Sequence, residues 1–137
     1  PAPLPEYGGR NVAYHAIMNR SKNFGATMHY MNEEFDRGDI IECQRFDIEN
    51  TDTAGDLVHK SYETLLTILR KHARNICDGK LPESFAQDET TYYKKEPISD
   101  FVEIDEATKR KIRSLTVHPN YHAKININGK IYNITPE

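Results

Sequence analysis

Residues 53–78 constrain this chain more than any other stretch, because their pattern is that of one long amphipathic helix. Thr53 is placed as the N-cap, Asp56 lies in the first turn near the positive end of the helix dipole, and Gly79 follows as C′. Val58, Tyr62, Leu65, Leu66, Leu69, Ala73 and Ile76 recur at spacings of three and four. That predicts one buried stripe, with Lys60, Glu63, Arg70, Lys71 and Arg74 mostly facing water. Such a helix needs a surface to lie on, and the preceding residues offer strands. Residues 25–31 alternate Ala26, Met28 and Tyr30 with Thr27, His29 and Met31, and 40–48 read as a second strand. Between them 32–37 form a polar loop ending at Gly38.

The flanks are simpler. Tyr7-Gly8-Gly9-Arg10 reads as a flexible turn, Asn11 as the N-cap of a short helix through 14–18, and 19–23 as a loop. Leu81-Pro82 ends the helical unit, and 83–91 is expected to be an extended surface segment. A second helix is predicted over 105–115, with Asp105 as N-cap and Ile112 and Leu115 as its apolar contacts. Residues 123–127 and 130–134 flank Asn128-Gly129, the pair that accepts the positive φ angles of a type I′ hairpin turn.

A length of 137 residues suits one domain. No apolar run approaches the roughly 20 residues that a spanning helix needs, so a membrane helix is not expected. Cys43 and Cys77 show neither CxxC spacing nor a Cys/His pattern for zinc, so no metal site is expected. With no signal peptide, the chain reads as cytoplasmic and reduced, and each cysteine as a small buried apolar residue. Charge is uneven: residues 29–56 carry nine acids against Arg37 and Arg45, and 109–137 carry six cations against Glu137. A solvated face accounts for either run as readily as a binding region does.

Chemistry has few candidate seats. There is no Walker loop, dinucleotide fingerprint, HExxH or GxSxG. His118 and His122 stand four apart, but Pro119 between them breaks a helix, so packing or surface roles are expected of both. Asp36 and Asp39 sit on the loop between the two strands, where Gly38 permits a tight turn. A carboxylate beside Phe35 could be partly desolvated and act as a base; a solvated turn cap is the other reading.

The order of three segments is nevertheless familiar. Residues 1–11 (PAPLPEYGGRN), 25–31 (GATMHYM) and 35–41 (FDRGDII) together resemble the formyltransferase family that uses 10-formyltetrahydrofolate. That family includes methionyl-tRNA, glycinamide ribonucleotide and sugar N-formyltransferases. Its signature looks like His-Pro-Ser-Leu-Leu-Pro-x-Tyr-Arg-Gly followed after an interval by Asp-x-Gly-Asp-Ile-Ile. Here Gly8-Gly9-Arg10 departs from it, standing where Tyr-Arg-Gly-Arg is usual.

The resemblance implies an α/β fold. Residues 1–93 would be the C-terminal portion of a Rossmann-like formyltransferase domain, and 94–137 a small extension with a helix and a β-hairpin. It implies that Asp36 is the aspartate of a catalytic Asn, His and Asp, with the Asn and His falling before Pro1. The 1–5 segment then reads as a cut through an active-site motif. Met31, Asn32, Glu33, Glu34 and Phe35 would contact the pterin of the folate donor through their backbone, and Arg10 and Asn11 would bind substrate. The expected substrate is a nucleotide-linked amino sugar, whose phosphates Lys109, Arg110 or Arg113 could meet.

The short tail, with a sum of only +2 over 94–137, argues against a nucleic-acid partner. A methionyl-tRNA formyltransferase and a non-catalytic remnant are the alternatives. Ile125, Ile127, Ile131 and Ile134 of the hairpin suit either a homodimer contact or a core.

Overall fold

The computed structural model describes every residue except Ile104, Glu106, His118, Pro119, Asn120 and Glu137. The chain is mixed in α and β content, and strands β2 (Asn23–His29) and β3 (Ile40–Asp47) make its main antiparallel pair. Asn23 pairs with Asp47 at one end and His29 with Ile40 at the other, with a bulge between Met28 and His29. The loop that closes this pair carries Asp36.

Helix α2 (Ala54–Cys77) lies across the pair. It starts on Thr53 as expected, and the structure adds a capping box: Thr53 Oγ1 accepts from Asp56 N–H, and Asp56 Oδ2 accepts from Thr53 N–H at 2.8 Å. It ends as expected, on Gly79 at φ 74°.

The predicted stripe is buried only in part: Val58, Leu65 and Ala73 are half-buried, and Val58 packs on the main core. Ala54, Leu57, Ser61 and Ile68 are buried, while Tyr62, Leu66, Leu69 and Ile76 are exposed. The reason is close approach. Ala54 and Ser61 are small, and Ser61 returns its hydroxyl hydrogen to Val58 O at 2.8 Å, so this face can sit tightly on β2 without stranding a polar group.

Lys60 is half-buried because both oxygens of buried Asp52 accept from its Nζ, at 2.7 and 2.8 Å. Phe24, fully buried, stands edge-to-face with Tyr7 and Phe46 in the main core.

A second tie joins β3 to α2. Glu42 accepts from Lys71 Nζ at 2.8 Å, Gln44 Nε2 at 2.7 Å and His72 Nε2 at 2.6 Å. These donors, Lys71 first, hold its carboxyl at about 2, against an ordinary value of 4.5. A depressed carboxylate stabilises the fold above its unfolded pKa and loses that contribution as pH falls through the folded one. Lys71 is largely solvated, which limits its share. Glu42→Gln is therefore expected to cost about 1 kcal/mol at neutral pH, and urea titrations should show the difference from wild type closing between pH 4.5 and about 2.

The residues before β2 depart from expectation. Tyr7-Gly8-Gly9-Arg10 is no flexible turn: Gly8–Gly9 form strand β1, parallel to Tyr92–Tyr93, strand β4. Gly9 sits at φ 98°, and a Cβ there would fall 2.2 Å from Tyr93 O. Helix α1 (Val12–Met18) follows, with Asn11 at the N-cap as predicted. Asn11 is left-handed at φ 55° and its side chain makes no capping bond, so its amide is uncommitted.

In the tail, helix α3 (Thr108–Leu115) begins three residues later than predicted, because Asp105 Oδ1 takes the N–H of Ala107 in a preceding turn. Ile112 and Leu115 do pack into a second apolar cluster, with Val102 and Ala123. The hairpin of β5 (Ala123–Ile127) and β6 (Lys130–Ile134) turns on Asn128 at φ 51° and Gly129 at φ 82°, as read from the sequence. Neither cysteine is a buried core residue: Cys43 is half-buried and Cys77, in the last turn of α2, is exposed. His118 lies outside the described residues.

Candidate functional site around Asp36

Asp36 is held from two separated segments, by the backbone of one and a side chain of the other. Its own backbone is left-handed at φ 58°, a region that aspartate and asparagine tolerate better than most residues. Its Oδ2 accepts the Gly9 N–H at 2.7 Å, so strand β1 fixes the carboxylate. Its carbonyl accepts from Gln87 Nε2 at 3.0 Å, and the same nitrogen donates to Gly38 O at 2.6 Å. The extended 83–91 segment is thus a strap across the loop, anchored also by Phe85 and Ile40 exchanging backbone bonds at 2.8 and 2.9 Å.

Gln87 gave no signal in the sequence, since its role depends on a contact with a distant segment. Replacing it with Leu would leave the carbonyls of Asp36 and Gly38 without their donor. The expected cost is about 1–3 kcal/mol, with amide exchange quickening first in 36–39.

A small cavity of about 140 Å³ opens at Asp36, lined by Pro1, Gly9, Val12, Thr27 and His29 among others. Thr27 Oγ1 accepts the Leu4 N–H at 2.9 Å, fastening the proline-rich segment to β2. Nothing in the sequence distinguishes His29 from an ordinary strand residue. Its Nδ1 lies 2.8 Å from Tyr30 O, a pure acceptor, so Nδ1 carries the hydrogen and a neutral ring presents Nε2 as an acceptor.

Of the two readings of this loop, shielding by Phe35 is not what the structure has: Phe35 is 83% exposed, and Met31 is 93% exposed. Asp39 is exposed and enters the loop only through its carbonyl, which accepts Tyr30 N–H at 2.9 Å. The loop residues Met31, Asn32, Glu33, Glu34 and Phe35 are all exposed. Apart from Glu34 N–H, taken by Asn32 Oδ1 at 3.0 Å, their backbone groups have no hydrogen-bond partner among the described residues. A flat ring with amide-like edges would find both apolar side chains and open backbone groups there.

Arg10 and Asn11 are exposed and lie in the chain between Gly9 and Val12, which line this cavity. Tyr93 holds the backbone of Arg10, since its carbonyl accepts Arg10 N–H at 2.9 Å, and its ring is stacked on those of Tyr7 and His15, at 5.7 and 4.1 Å between centroids. Burial lowers the pKa of His15, with Glu96 opposing.

The basic residues of the tail do not join Asp36. Arg113 Nη1 is engaged by the carbonyls of Glu49, Asn50 and Asp52, beside the far end of the β2–β3 pair. Among the described residues, no group of His, Cys, Asp and Glu gathers as a metal site. Nor is any helix long and apolar enough to cross a membrane.

The chain is similar to known proteins in sequence and in fold. Residues 1–69 match the family described as Formyl transferase. GDP-perosamine N-formyltransferase of Brucella melitensis is 33% identical over 141 aligned residues, covering 96% of this chain and 52% of the relative. Methionyl-tRNA formyltransferase of Bacillus subtilis is 29% identical over 128, covering 90% and 40%. The chain thus spans about half the length of the curated relatives it matches.

Among solved structures, a 4-N formyltransferase from Francisella tularensis superposes with a TM-score of 0.81 at 22% identity, covering 98% of this chain and 59% of that one. The N-formyltransferase from Helicobacter canadensis, in complex with folinic acid and dTDP-3-aminofucose, gives 0.76 at 22%, covering 93% and 49%. These likenesses show the α/β fold. With the family match over residues 1–69, half of its length, the chain belongs to the formyl transferase family.

Proposed function

We propose that the protein takes part in formyl transfer from 10-formyltetrahydrofolate to the amine of a nucleotide-linked amino sugar. The observation that carries this reading is the clamp on Asp36: a carboxylate fixed by Gly9 N–H and the Gln87 strap, facing a cavity beside an open-backbone loop. The folate donor, when bound, supplies an electrophilic formyl carbon. Met31, Asn32, Glu33, Glu34 and Phe35 offer the surface and backbone groups that fit its pterin ring. Asp36, a pure acceptor when ionised, is placed to take a proton from the attacking amine.

An oxyanion would need donors, and the one N–H that reaches Asp36, from Gly9, is already spent on it. The family pattern puts an Asn and a His just before position 1. Pro1 lines the Asp36 cavity, which supports their belonging to the same site in the full-length protein.

Arg10 and Asn11, both exposed, are assigned to the substrate's polar groups. We assign 1–93 to the catalytic domain and 94–137 to an extension with its own apolar cluster. The exposed Ile127, Ile131 and Tyr132 of the hairpin are assigned to a homodimer contact. Free Cys43 and Cys77 suit the reducing cytoplasm.

Mass spectrometry of acceptors incubated with the full-length protein and the folate donor tests the reading. A gain of one formyl group on a GDP- or dTDP-linked amino sugar is expected. Formylation of charged initiator tRNA alone would overturn the substrate, and formylation of neither would leave a non-catalytic module.

A further inference from the structure

The tail's positive charge, which the Asp36 site does not use, has a cavity of its own. Helix α1, the connection from β3 to α2, helix α3 and the C-terminal residues surround a space of about 730 Å³, within the roughly 300–1,000 Å³ range of small-molecule sites. Arg20, Lys22, Lys109 and Arg110 line it, and none has an acidic partner among the described residues. Glu49 is the one acid among the described lining residues. Arg110 Nε is buried with no hydrogen-bond partner, although a guanidinium N–H out of water ordinarily has one. Arg113 is already committed to loop carbonyls and helps to shape the wall. Ile17, Ile48 and Ile112 supply an apolar lining.

Four unneutralised cations around one cavity repel each other, and in a chain of net charge -3 this concentration is not a global excess. The ligand that fits has several negative charges in a compact group, matched to guanidinium forks, and a ring to cover the isoleucines. A monocarboxylate is too weakly charged. A polynucleotide wants a broad basic surface, which a tail summing to +2 from residue 94 does not provide.

Lys22 and Ile48 stand just beyond the Asn23–Asp47 end of the β2–β3 pair, joined by a 2.9 Å backbone bond. Asp36 is on the loop at the other end, about 20 Å away along strands rising about 3.3 Å per residue. We propose that this cavity binds a nucleoside di- or triphosphate, at a position separate from Asp36. The proposal does not rest on the formyl-transfer reading, because binding is measured with neither donor nor acceptor present.

The test is calorimetric titration of the full-length protein with GDP, inorganic pyrophosphate, guanosine and a short single-stranded RNA, with amide NMR shifts to locate the site. Saturable GDP binding is expected, weaker binding of pyrophosphate, and none of guanosine at the same concentration. Shifts should centre on Arg20, Lys22 and Ile48 and spare 31–36. The double variant Lys22→Gln, Arg110→Gln should weaken GDP binding by about tenfold or more, through loss of two charge-assisted contacts, while Asp36→Asn leaves it unchanged. Unchanged GDP affinity in the double variant, shifts centred on the Asp36 loop, or binding of RNA alone would each overturn the proposal. So would a large fall in the thermal midpoint of the double variant, which would show that these cations hold the fold.

Discussion

Asp36→Asn is expected to lower formyl transfer by the full-length protein by a factor of about 10²–10³ or more, the scale seen when a group acting at the developing charge of an acyl transfer is removed. The substitution isolates charge from shape. Asparagine tolerates the left-handed backbone at φ 58°, and its Oδ1 can still accept the Gly9 N–H that now meets Oδ2 at 2.7 Å. The Gln87 strap bonds to the backbone of residue 36, so it survives the change as well. What is lost is the capacity to take a proton. Donor binding, measured by fluorescence with a non-transferable folate, should stay within about threefold of wild type, because the loop over 31–35 keeps its open backbone. Wild-type turnover in this variant would remove Asp36 from the mechanism.

How much of this was legible before the structure depends on whether the cause is local. The N-cap at Thr53, the stop at Gly79 and the Asn128-Gly129 turn are decided within a few residues, and each stands where the sequence puts it. Strand β1 has no such signal: a Gly-Gly pair becomes a strand only because Tyr92–Tyr93 lies alongside it.

Helix α2 carries two apolar stripes, and periodicity favoured the larger side chains of Tyr62, Leu66 and Leu69. The fold buries the smaller Ala54 and Ser61 with Leu57 and Ile68, because closeness of approach to β2 is a tertiary property. Asp36 was found through a motif. Gln87 and His29, which complete its surroundings, are ordinary residues until the hairpin and the strap bring them together. The cations of the tail were visible as charge, but their convergence with Arg20 and Lys22 was not.

Gly38→Ala should be the most damaging small substitution in the chain, and its effect should pass from backbone to site in a traceable order. Gly38 is buried in the loop that closes β2 and β3, and a Cβ there would stand 1.6 Å from the carbonyl oxygen of Tyr30 and 2.6 Å from its carbon. Real Cβ atoms do not approach backbone so closely, so one of the two segments must move. Moving Tyr30 breaks its N–H bond to Asp39 O and frees the His29 ring, whose Nδ1 is held by Tyr30 O at 2.8 Å. Moving Gly38 instead pulls its carbonyl from Gln87, which also holds residue 36.

Either route disorders the cavity shared by His29 and Asp36. Overpacking of this kind costs roughly 1–3 kcal/mol and occasionally more, and the backbone bonds at stake add about 1 kcal/mol each. Urea unfolding should therefore show a loss of about 3 kcal/mol, with amide resonances of 29–31 and 36–39 displaced and those of the 123–134 hairpin unmoved. Stability and resonances like those of wild type would mean that the loop closes in some other way than through Gly38 packed on Tyr30.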